Sequence, residues 1–157
     1  MNSRIRCFSR TIVWSFCVLL GLTAATSAAP ALHVCVTVPE LSSLAKEVGG
    51  DYVQLSTFAK ATEDPHFVEA KPSFIKTLSE SDLYVQAGLE LECGWAPVLL
   101  QNARNAKSLS GAPGYVDASS VITPMEVPTT PVDRSMGDVH PLGNPHYLLD
   151  PLNGLKV

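Results

Sequence analysis

The sequence predicts an α/β fold, a single doubly wound lobe with a mostly parallel sheet. Three observations point there. β-branched apolar runs of strand length recur along the chain, as in Val34, Val36 and Val38. Apolar residues at helical spacing follow, such as Leu41, Leu44, Ala45 and Val48, and strand then helix is the repeating unit of a parallel sheet. The run Glu63-Asp64-Pro65-His66-Phe67-Val68-Glu69, acidic and with a His after Pro, then follows the second strand pattern, and open sheets of this kind bind ligands beyond the carboxyl ends of their strands.

The first strand is expected over 32–38. In the helix after it, over 39–50, Pro39 and Glu40 suit the start, and Gly49 and Gly50 suit the end. A second strand over 52–58 leads into the loop holding His66, and a helix over 72–79 and a strand over 82–87 come next. The stretch 89–103 reads as helical, with Pro97 expected to kink or split it because proline removes a backbone donor. A further short strand is expected over 114–118. The connection over 121–138 is Pro-rich and poorly periodic and reads as loop, with a short edge hairpin at 125–127. No internal repeat or glycine-rich phosphate loop stands out.

Residues 1–29 have the layout of a secretory signal peptide: Arg4, Arg6 and Arg10, an apolar run over 12–22, then small residues over 23–29. The apolar run is too short to span a bilayer comfortably. Small residues at cleavage spacing occur at both 26–28 and 29–31. Neither Cys17 nor Cys35 is preceded by the small residue that a lipoprotein cleavage site needs, which favours a soluble exported protein over a lipid-anchored one. The chain has 11 Lys and Arg against 15 Asp and Glu, and three of the Arg lie in the leader. The remainder is therefore acidic, which argues against nucleic acid or an anionic membrane as partner and is compatible with a cationic ligand or with solubility alone. About 128 residues remain, enough for one domain with a core, over 30–150. An exported protein permits a disulfide between Cys35 and Cys93, and two buried free thiols fit the same pattern.

Three of the four His fall in two runs, 63–69 and 137–151. His66 follows Asp64-Pro65 and His146 follows Asn144-Pro145, so each imidazole sits on a stiff turn whose φ proline has already fixed. A side chain held that way suits metal ligation. Glu63, Asp64 and Glu69 surround His66, and Glu63, Glu69 and Asp150 are the carboxylates expected to hold a second ring nitrogen. His140 could complete a site, hydrogen-bond its own loop or face solvent. His33 alternates with Val34 and Val36 and reads as structural. No H-E-x-x-H, G-x-S-x-G or C-x-x-C pattern occurs, so an enzyme is not expected. A metal-dependent hydrolase and an exported structural or adhesive module are the rival readings.

Together these motifs resemble the metal-binding solute-binding proteins of ABC transporters, the periplasmic zinc and manganese receptors. The matching features are the strand and helix over 34–50, Glu63-Asp64-Pro65-His66 with Lys71-Pro72-Ser73, the 82–88 strand with Leu89-Glu90-Leu91-Glu92, and Asn144-Pro145-His146 with Asp150-Pro151. The resemblance spans essentially the whole chain after the leader. It implies that His66 and His146 are two ligands of a tetrahedral site for zinc, with manganese as the alternative; His140, on its own residue context, is a possible addition. It also implies a monomeric periplasmic receptor whose partner is the membrane permease of an ABC importer. Family members have two such lobes joined by a long helix, and the second lobe supplies the third and fourth ligands. On that comparison the chain is expected to be the amino-terminal half, a truncated receptor with an incomplete site, in which 151–157 begins the inter-lobe helix.

Overall fold

The computed structural model describes residues 31–137 and 139–157; the expected leader over 1–29 lies outside the described residues, as does Asp138. Strand β1, Leu32–Val36, places Val34 and Val36 on one face and Cys35 on the other, all three buried, as a strand covered on both faces requires. It is flanked by β2, Val53–Thr57, and β3, Leu83–Gln86, with β4, Tyr115–Asp117, beyond β3. All pairings are parallel and the order is β2-β1-β3-β4. The direction of winding reverses between β1 and β3, so the segments leaving those two strands diverge and leave a crevice.

Among the described residues the α-helices are α1, Pro39–Gly49; α2, Pro72–Ser79; α3, Ala96–Ala103; and α4, Pro151–Gly154. Each has proline in its first turn, where the missing N–H has no partner to lose. Leu41 of α1 packs with Val34, Val36, Ala87 and Leu91 on one face. Leu78 of α2 and Leu99 of α3 pack with Cys35, Tyr84 and Trp95 on the other. Helices on both faces of a parallel sheet are the doubly wound lobe expected.

Three expectations need correction. Residues 89–95 form successive turns rather than helix: Leu89 and Glu90 have φ of 50° and 68°, outside the helical region, and α3 starts only at Ala96. Pro97 therefore lies in the first turn of a helix and does not kink one. Residues 125–127 carry no strand, so the edge hairpin is absent among the described residues. Cys35 and Cys93 are both free, and only Cys35 is buried, which pushes its thiol up to about 11 against a hydrogen bond with Ser81. Among the described residues no helix is long and apolar enough to cross a membrane.

Candidate metal centre

The loop after β2 ends in a single 3₁₀ turn, Pro65–Phe67, and the sequence dictates its shape. Asp64 caps the turn: its Oδ1 accepts from the backbone N–H of His66 at 2.9 Å and lies 2.7 Å from Nδ1 of the same ring. These two contacts, the backbone bond first, hold the Asp64 carboxyl below the usual range. The ionised carboxylate can only accept, so Nδ1 carries the ring proton and the lone pair of His66 is on Nε2. The indole Nε1 of buried Trp95 donates to the carbonyl of Pro65 at 2.8 Å and ties the turn to the core.

The second motif repeats the device 80 residues later. Asn144 Oδ1 accepts from the backbone N–H of His146 at 2.9 Å, the distance found at Asp64. Here the Asx side chain does not reach the ring; its Nδ2 donates to Glu126 Oε2 at 2.7 Å, and its backbone N–H donates to the Met125 carbonyl at 2.8 Å. Gly143 makes that approach feasible, because its φ is 105° and a Cβ there would stand 2.7 Å from the Met125 oxygen. Buried Tyr147 then donates from its hydroxyl to the Ala87 carbonyl at the end of β3, at 2.7 Å.

Both motifs open on one cleft of about 450 Å³. The ring centroids of His66 and His146 are 5.3 Å apart, and those of His66 and His140 are 5.1 Å apart. His66 Nε2 lies 3.0 Å from His140 Nε2. Among the described residues no three His, Cys, Asp or Glu are placed so that they could hold a metal ion as they stand; the arrangement is two pairs that share His66. His33 is at the opposite, amino-terminal end of β1, where its backbone N–H donates to Asp82.

The carboxylate on the candidate ring is Asp64, not Glu63, Glu69 or Asp150. Glu63 turns back to accept from the Lys60 N–H, Asp150 caps α4 at Leu152, and Glu69 is exposed. A side chain two residues before His66 is the nearest one able to fold back on both its backbone and its ring, and that Asx-Pro-His spacing was the available signal. Glu92, which the sequence offers only as part of the run Leu89-Glu90-Leu91-Glu92, has a definite place in the structure. It is buried at the β1/β3 crevice, where Oε1 accepts from the Thr37 hydroxyl and from Ala87 N–H at 2.8 Å, and Oε2 accepts from Gly88 N–H at 3.1 Å. Burial pushes this carboxyl above its usual range, and the accepted bonds oppose the shift.

An open parallel sheet with imidazoles gathered on loops beyond its carboxyl edge is an α/β ligand-binding lobe. Among such lobes, the chain belongs to the family described as zinc-uptake complex component A, periplasmic (ZnuA), whose model matches residues 34–157. It is 30% identical over 89 residues to the manganese ABC transporter substrate-binding lipoprotein PsaA of Streptococcus pneumoniae, covering 55% of this chain and 29% of that protein. It is 31% identical over 98 residues to the metal ABC transporter substrate-binding lipoprotein FimA of Streptococcus parasanguinis, covering 57% of this chain and 32% of that protein. A zinc-bound deletion mutant of ZnuA superposes with a TM-score of 0.61 at 28% identity, over 78% of this chain and 41% of that one. The chain spans less than half the length of each of these relatives. The family is one of transport components rather than a class of enzymes.

Proposed function

We propose that this chain is a metal-binding lobe of an exported receptor that delivers a divalent cation, zinc or alternatively manganese, to the membrane permease of an ABC importer. The observation that carries the reading is the convergence of two Asx-Pro-His turns from distant loops, with ring centroids 5.3 Å apart. Two imidazoles on one tetrahedral cation, with metal–nitrogen bonds of about 2.0–2.1 Å, place their centroids about 5.2 Å apart. His66 and His146 are the two ligands, and Asp64 holds the first ring so that Nε2 faces the cleft. The relatives named for manganese and the zinc-bound ZnuA mutant support the choice of cation.

Positions that this lobe leaves open are the partner lobe's to fill, with 30–150 as the lobe in hand and 151–157 leading toward the next. Glu63 and Asp150 spend an oxygen elsewhere, on the backbone N–H groups of Lys60 and Leu152. Binding and release of the cation are the whole chemistry, without a catalytic step. The protein works outside the cytoplasm as a monomer after loss of its leader, without nucleic acid. The test is zinc affinity measured by competition with a chromophoric chelator: His66→Ala and His146→Ala should each weaken binding at least about a hundredfold, since even an outer partner of a ligand is worth about 10–100-fold. His33→Ala should change nothing. Unchanged affinity in His66→Ala would refute the assignment, and turnover of a hydrolysable ester that chelator removes would favour a hydrolase instead.

A further inference from the structure

We propose that His140 is a third imidazole ligand, which makes this one lobe a three-histidine acceptor that prefers zinc and similar borderline cations to manganese. The inference rests on the reading of His66 and His146 as ligands. His140 and His146 belong to one loop, anchored between them where the Gly143 N–H donates to the His140 carbonyl at 3.1 Å and the Asn144 N–H donates to the Met125 carbonyl at 2.8 Å. That loop brings both rings close to His66.

The spacing carries the argument. Two nitrogens bound to one tetrahedral cation are about 3.3 Å apart and their ring centroids about 5.2 Å apart, given bonds of about 2.0–2.1 Å. His66 and His140 show 3.0 Å between Nε2 atoms and 5.1 Å between centroids, and His66 and His146 show 5.3 Å between centroids. Both pairs that share His66 therefore stand at ligand spacing, and an opening of a few tenths of an ångström between the first two nitrogens admits the cation.

Without metal, a hydrogen bond accounts for the 3.0 Å contact. Asp64 fixes the His66 proton on Nδ1, so His66 Nε2 accepts and His140 Nε2–H donates. When the cation binds, His140 takes the other neutral tautomer: its ring proton leaves Nε2 through water and Nδ1 gains one, with no change in charge. Three neutral nitrogens suit zinc, cobalt or nickel, whereas manganese favours carboxylate and water oxygen.

The experiment measures zinc and manganese affinities of the full chain and of His66→Ala, His146→Ala and His140→Ala, each by competition, beside the metal-free unfolding midpoint. His140→Ala is expected to lose at least about a hundredfold in zinc affinity, with a smaller loss for manganese, so that the ratio of the two falls. Wild-type zinc affinity and ratio in His140→Ala, with binding lost in His66→Ala, would overturn the role of His140 and leave the two-ligand reading standing. Wild-type affinity in all three would overturn both. Nitrogen NMR of the wild-type imidazoles covers a variant that fails to fold: zinc should move the Nε2 resonance of His140 together with those of His66 and His146, and a His140 resonance that stays put while the others move would refute the proposal.

Discussion

Replacing Glu92 by Gln keeps the side-chain shape and removes one acceptor, which isolates what the buried carboxylate does. The wild-type Oε1 accepts from Thr37 and Ala87, and Oε2 accepts from the Gly88 N–H at 3.1 Å. A glutamine can keep the first two at its carbonyl oxygen, but its NH₂ then faces the Gly88 N–H, donor against donor. In the alternative amide orientation the oxygen meets Gly88 and the NH₂ can donate to the Thr37 hydroxyl, but the NH₂ then faces the Ala87 N–H, again donor against donor. A buried N–H left without an acceptor costs about 1–3 kcal/mol, so about 2 kcal/mol of stability should disappear. For a lobe of this size that is a fall of roughly 5–10 °C in unfolding midpoint. Urea unfolding is the assay, with the midpoint reduced and the slope unchanged. The pH dependence supplies a second check. The folded carboxyl titrates above its unfolded value, so its contribution is complete below the unfolded range near pH ~4.3 and declines as pH rises through the folded value. The Gln variant lacks that decline, and the gap between the two proteins should narrow toward alkaline pH. A Gln variant within about 0.5 kcal/mol of wild type at all pH values would refute the clamp.

Asp64→Asn should weaken zinc binding by about 10–100-fold while leaving the fold intact, read by chelator competition. The Asp64 carboxyl is held low, chiefly by the His66 N–H, so its stabilisation is present above the unfolded value near pH ~3.9 and is lost as pH falls through the folded value; the Asn variant should not show that acid loss in unfolding titrations. Gly143→Ala, with φ of 105° and a Cβ 2.7 Å from the Met125 oxygen, should cost about 1–3 kcal/mol and lower zinc affinity by shifting the loop; unchanged stability would refute the strain argument. Trp95→Phe removes the donor to the Pro65 carbonyl and should cost about 1 kcal/mol by urea unfolding, with chelator competition showing a weaker site.

The strands and the helices at 39 and 72 were legible because one residue in two or in four sets their pattern, and Pro39 and Pro72 mark where the helices begin. The stretch after β3 was not. Leu89-Glu90-Leu91-Glu92 has good helix formers, yet Glu92 must bend back four or five residues to meet the N–H groups of Ala87 and Gly88, and the chain follows through two left-handed residues. That demand comes from the ends of β1 and β3 meeting in space, which no local pattern contains. For the same reason the paired turns at Asp64 and Asn144 could be read from their residues, while the reach of His140 across to His66, 74 positions away, could not.

The two Asx-Pro-His turns have a consequence in time. Each draws its shape from a bond spanning two residues and a proline, so the backbone that carries the imidazoles is set before any cation arrives. Capture then needs no slow loop closure within the lobe, and the rate should follow how readily the incoming ion sheds its own water. Ions of equal charge and affinity would load at different speeds, and the lobe would discriminate between them during a brief encounter as well as at equilibrium.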